Sequence, residues 1–136
     1  MKIVVGYVVT DESRAALDWA ISLAKRGDAH IVVTHSIRGG GSVDAEKEEI
    51  LTYCKELDAI EKELSDAGIP HTTRRLIRGL TPAEDIIQVV EEEKADLVVI
   101  GLHQRSKAGK LLLGSDGRDI ILTAPCPVVS VKVAAK

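Results

Sequence analysis

Two stretches of the chain are apolar at almost every position: Ile3-Val4-Val5-Gly6-Tyr7-Val8-Val9 and Leu97-Val98-Val99-Ile100. A strand with one wet face alternates apolar and polar side chains, whereas a strand covered on both faces does not. Both runs therefore predict central strands with helices packed above and below them. Few architectures supply such cover, and the main one is a parallel sheet wound between two helical layers.

The rest of the pattern agrees. After the first run, Ala16, Ala20, Leu23 and Ala24 share one helical face, with Leu17 and Ile21 beside them. Thr10 or Asp11 can cap that helix, and Gly27 sits where a left-handed C-terminal residue is expected. Ala29 to Ser36 reads as the second strand. Arg38-Gly39-Gly40-Gly41-Ser42 reads as a mobile loop. Ile50, Tyr53, Cys54, Leu57, Ile60, Leu64 and Ala67 predict a long helix from Val43 to Ala67, stopped by Gly68-Ile69-Pro70. His71 to Ile77 carries Thr72, Thr73, Arg74 and Arg75, which suits a half-exposed or edge strand.

Thr81-Pro82-Ala83-Glu84 is a helix start: a cap, a proline at the first helical position and the glutamate of a capping box. Ala83, Ile86, Ile87 and Val90 form its apolar face, and Glu91-Glu92-Glu93-Lys94 reads as its solvated end. A strand over Asp96 to Gly101, a helix over Ser115 to Leu122 and a strand over Val128 to Val133 complete the series. The expectation is one domain over residues 1–136, α/β in class, a doubly wound parallel sheet with helices on both faces. Ligands of such sheets bind beyond the carboxyl ends of the strands, where the strand order reverses. The loops after Val9, Ser36 and Gly101 are thus the places to look.

Composition excludes several functions. The net charge is −3, so the basic footprint of a duplex-binding protein is missing. Aromatic residues make up 2% (Tyr7, Trp19 and Tyr53), too few for a base-stacking platform. Nucleic acid is not an expected partner. The apolar runs are too short to span a membrane, and the first residues lack the features of a secretion signal. With only Cys54 and Cys126, the chain has neither a disulfide framework nor a cysteine-only zinc site. The default is a reduced cytoplasmic protein with two buried thiols.

Chemistry concentrates in Gly101-Leu102-His103-Gln104-Arg105-Ser106-Lys107-Ala108-Gly109-Lys110-Leu111-Leu112-Leu113-Gly114-Ser115. This segment joins a buried strand to a helix. Gly114 permits close backbone approach, Ser115 can cap, and a helix N-terminus presents unpaired N–H groups and partial positive charge. Arg105, Lys107 and Lys110 add cations. On local physics alone, a phosphate site and a capped helix beside a solvated basic loop are equal readings. Asp116 stabilises the helix start but opposes a bound phosphate. His30, His35, His71 and His103 have no metal-ligand spacing, so no metal site is expected; His35 reads as a core or switch-point residue. No nucleophile stands with its base, no Walker A sequence occurs, and no catalytic residue is assigned.

The same segment resembles the G-x2-G-x9-G-[S/T] signature of nucleotide-binding members of the universal stress protein family. Gly101 matches the first glycine, and Gly114 and Ser115 match the last two positions. Ala124-Pro125-Cys126-Pro127-Val128-Val129 resembles the family's ending. Ile3-Val4-Val5-Gly6 and Ser13-Arg14-Ala15-Ala16-Leu17 resemble its first strand and helix. The likeness spans the whole chain. It implies five strands in the order 3-2-1-4-5 and an edge formed by Val128, Val129 and Val131, through which family members commonly dimerise. It also implies ATP or AMP as ligand, magnesium accompanying ATP, with Gly101, Arg105, Lys110, Gly114 and Ser115 at the phosphates.

Two departures are specific to this sequence. Gln104 replaces the middle glycine. Val8 and Val9 replace the Asp-Gly with which ATP-binding members end their first strand, and a valine cannot hydrogen-bond a nucleoside. Two functions remain in view: a dimeric stress-response module with an adenine-nucleotide or other phosphate-ligand site, and a nucleotide-independent interaction protein with a vestigial pocket. Enzymatic activity would extend at most to weak ATP hydrolysis.

Overall fold

Strand and helix alternate from end to end in the computed structural model, which describes residues 1–37, 42–76, 80–102 and 115–133. The order is β1 (Lys2–Gly6), α1 (Asp11–Lys25), β2 (His30–Ser36), α2 (Val43–Asp66), β3 (His71–Leu76), α3 (Pro82–Glu93), β4 (Leu97–Leu102), α4 (Ser115–Thr123) and β5 (Val128–Lys132). The strands form one parallel sheet in the order β3-β2-β1-β4-β5.

Strand alternation divides the core into two layers. Ile3, Val5, Ile31, Val33 and Val99 point to one face and pack on Leu17, Ala20, Leu57, Ile60 and Leu64 of α1 and α2. Val4, Val32, Val98 and Ile100 point to the other and meet Ile86, Val89 and Val90 of α3 and Ile120 of α4. The continuous apolar character of β1 and β4 thus follows from cover on both sides. At the β3 edge, only Leu76 is buried, in keeping with its polar sequence.

Caps set the helix starts. Thr10 Oγ1 accepts from Ser13 N at 3.2 Å, and Ser42 Oγ accepts from Ala45 N at 3.1 Å. The capping box at α3 is complete: Glu84 N donates to Thr81 Oγ1, and Thr81 N donates to Glu84 Oε1, both at 3.2 Å. α2 ends as its glycine foretells. Gly68 takes φ +72, and Ile69 N reaches back to Leu64 O at 2.9 Å.

Several expectations need correction. β1 stops at Gly6 rather than Val9. Tyr7 N still donates to Thr34 O, but Val8 N is taken by Ser13 Oγ and Val9 N by Tyr53 Oη, so the ladder ends. Gly27 does not enter the left-handed region; Arg26 closes α1 in a right-handed conformation. The left-handed cap falls instead on Lys94, φ 52, after α3. The acidic end of α3 is more than solvated. Glu93 pairs with Lys2 at 3.1 Å, and Glu92 with Arg74 at 3.1 Å, tying α3 to β1 and β3. Cys54 and Cys126 are half-buried free thiols, and burial pushes the Cys126 thiol above its ordinary value. The loop over residues 38–41 lies outside the described residues.

Candidate ligand site

All five strands are parallel, so their carboxyl ends share one edge of the sheet. There the chain leaves β1 toward α1 on one face, and leaves β4 toward α4 on the other. β1 lies between β2 and β4, which makes the gap beyond β1 and β4 the point where strand order reverses.

The turn from Tyr7 to Thr10 forms one wall and is held from several sides. The Ser13 hydroxyl, on a residue buried in the first turn of α1, accepts from Val8 N at 3.2 Å. Tyr53 Oη, from α2, accepts from Val9 N at 3.0 Å. Tyr7 is buried, and its hydroxyl donates to Glu56 at 2.7 Å. Burial, and then that carboxylate, raise its pKa well above the ordinary phenol value. The side chains of Val8 and Val9 are 45% and 51% exposed, so they form an apolar lip and do not fill the core.

His35 joins this turn to α2. It is buried at the end of β2, stacked on Tyr53 with ring centroids 3.3 Å apart. Its Nδ1 lies 2.9 Å from Tyr7 O, and a carbonyl only accepts, so Nδ1 carries the hydrogen. Nε2 faces Glu49 Oε2 at 3.1 Å. The ring thus faces an acceptor on each side. Of the two readings of His35, core or switch-point residue, its burial fits the first: it lies in β2, while the order reverses between β1 and β4.

On the opposite face of β2, Ser36 donates its hydroxyl to Asp85 Oδ2 of α3. Asp85 is fully buried. Sequence reading missed this pair, which lies 49 residues apart. The available signal was an acidic residue among Ala83, Ile86 and Val89 on the apolar face of α3.

Of the residues expected at phosphate, Gly101 and Ser115 fall within the described backbone. Ser115 opens α4. Gly101 lies in β4, paired with Val131 of β5. A Cβ there would come within 2.5 Å of Glu12 C and O, so only glycine lets β4 meet the first turn of α1. Arg105, Lys110 and Gly114, with His103, Gln104 and Lys107, lie outside the described residues. Among the described residues, no group of three His, Cys, Asp or Glu side chains could hold a metal ion. Nor is any helix among them long and apolar enough to cross a membrane.

The fold is a doubly wound α/β domain whose five strands end on one carboxyl edge, the edge at which sheets of this class bind their ligands. The sequence pattern of the Universal stress protein family matches residues 1–132. A universal stress protein of Mycolicibacterium smegmatis is 35% identical over 130 residues, covering 96% of both chains. The solved structure of a universal stress protein from Archaeoglobus fulgidus superimposes with a TM-score of 0.83 at 33% identity, over 97% of this chain and 98% of that one. Another, the universal stress protein from Archaeoglobus fulgidus in complex with dAMP, has a TM-score of 0.71 at 30% identity, covering 97% and 98%. The chain belongs to the universal stress protein family.

Proposed function

We propose that this chain is a stress-response module that binds an adenine nucleotide, AMP or ATP, at the carboxyl edge of its sheet. The observation that carries the reading is that α4 begins with Ser115 at the edge where strand order reverses, in a chain 30% identical to a relative solved with dAMP. Gly101 fixes where the loop leaves β4. The amides at Gly114 and Ser115 hold phosphate, and Arg105 and Lys110 neutralise it. Magnesium enters with ATP through the phosphates. No catalytic group is assigned.

Assembly belongs to the same reading. β5 is an edge strand, hydrogen-bonded on one side to β4. Val98 N donates to Pro127 O, so by strand alternation the backbone groups of Val128, Ser130 and Lys132 face away from β4. Half-buried Val128, Val129 and Val131 complete an edge suited to pairing with a second copy. The protein acts as a homodimer whose ligand state alters the surface it offers to a partner protein.

Calorimetry tests the nucleotide site. AMP and ATP, the latter with and without magnesium, should bind saturably at one site per chain, and G114V should abolish the heat. Absence of heat at millimolar nucleotide would leave the second function, an interaction protein with exposed Val8 and Val9 in place of polar nucleoside contacts.

A further inference from the structure

The two halves of α2 are held in different ways. Leu57, Ile60 and Leu64, at 2%, 2% and 0% exposed, seat the second half in the core. Residues 43–56 contribute no buried side chain. Tyr53 packs on the core as a half-buried residue, while Val43 and Leu51 are 67% and 62% exposed. Ser42 caps the start of the helix. Most helical stability in proteins nevertheless comes from a packed apolar face, and this half has little of one.

What fastens the first half is a small set of contacts on its inner side. Arg75 of β3 donates to Cys54 Sγ. The others converge on the turn after β1. Tyr53 Oη accepts from Val9 N at 3.0 Å, and Glu56 accepts from the Tyr7 hydroxyl at 2.7 Å. His35 stands between turn and helix. Its Nδ1 lies 2.9 Å from Tyr7 O, its Nε2 lies 3.1 Å from Glu49, and its ring is stacked on Tyr53. The dependence runs both ways. If the first half of α2 lifts, the turn loses the acceptors of Val9 N and of the Tyr7 hydroxyl together. If the turn moves, the helix loses the same bonds. Contacts made and lost together open as one unit, at a lower free energy than global unfolding.

We infer that residues 43–56 of α2 and the turn over residues 7–10 form one opening unit, a strap that fastens and releases the turn in a single step. A molecule bound against the turn favours the closed strap. A protein gripping the outer face that carries Val43 and Leu51 changes affinity at the turn by the same factor that the turn's occupancy changes its own. The inference stands apart from the nucleotide reading, because its test needs no ligand.

Native-state amide exchange by NMR, on the ligand-free protein in sub-denaturing urea, tests it. The amides of residues 49–56 and of Val9 should have protection factors within about threefold of one another, and should exchange at least about tenfold faster than those of residues 60–64. E49A should quicken Val9 exchange about fivefold, although the bond that protects Val9 is made by Tyr53. E48A, at an exposed position of the same helix, should leave Val9 unchanged. Y7F, a change in the turn, should quicken residues 49–56 about fivefold. Exchange of residues 49–56 in one global step with residues 60–64 would overturn the inference in the wild-type protein alone. So would a Val9 amide that opens at a rate of its own. So would an E49A variant, its fold confirmed by circular dichroism, in which α2 quickens and Val9 does not.

Discussion

Gly101 offers the sharpest test of how the ligand edge is built. A Cβ added there would lie 2.5 Å from Glu12 C, 2.5 Å from Glu12 O and 2.8 Å from Glu12 Cβ. Two of those atoms are backbone in the first turn of α1, which cannot rotate away. Relief requires the helix start to move roughly 1 Å off β4. Overpacking of this kind costs about 1–3 kcal/mol, and a backbone clash belongs at the upper end. G101A should therefore lose about 3 kcal/mol, or about 10 °C in melting temperature for a chain of this size. Two glycines calibrate the value. At Gly6 the added carbon meets the end of the Ile86 side chain at 2.8 Å, which can shift, so G6A should lose about 1 kcal/mol. At Gly27 nothing lies within 4 Å and φ is not left-handed, so G27A should be neutral or gain about 0.5 kcal/mol. Urea melts of the three variants should rank in that order. A G101A midpoint at or above that of G6A would refute the close approach of β4 to α1.

Further outcomes follow from the same geometry. Thr81→Ala removes one half of the capping box and should cost about 1 kcal/mol by urea denaturation, with Thr81→Ser close to wild type. Tyr7→Phe leaves Glu56 without its donor and should cost about 1–2 kcal/mol in the same assay. Arg14 donates to Glu63 and holds its pKa below the ordinary value, so that pair stabilises the fold above the unfolded glutamate value. The contribution disappears as pH falls through the lower folded value. Glu63→Gln should flatten that part of the acid limb in pH-dependent melts. If β5 pairs two copies as proposed, wild-type protein sediments as a dimer, and Ser130→Pro, which removes an outward N–H from β5, should sediment as a monomer without a large change in melting temperature.

The scaffold was legible because it is written locally. Doubly covered strands show as unbroken apolar runs, and the starts of α1 and α3 show as Thr10 and the Thr81–Glu84 box. What sequence reading missed depends on partners distant in the chain. β1 looked longer than it is because Val8 and Val9 are apolar, yet Ser13 and Tyr53 take their N–H groups. The close approach of Glu12 gives a packing reason for glycine at position 101 that the sequence alone does not show. Glu92 and Glu93 looked like a solvated run until Arg74 and Lys2 came beside them. Ser36 and Asp85 meet only when β2 and α3 pack together, and neither is unusual where it sits in sequence apart from the carboxylate on an apolar face.

Amide hydrogen exchange with and without saturating AMP tests the placement of the ligand most directly. The account predicts slowed exchange at Tyr7–Thr10, at the end of β2 and at the start of α4, with the amino ends of the strands unchanged. Protection confined to the amino edge, around Asp28 and Ile69, would contradict it.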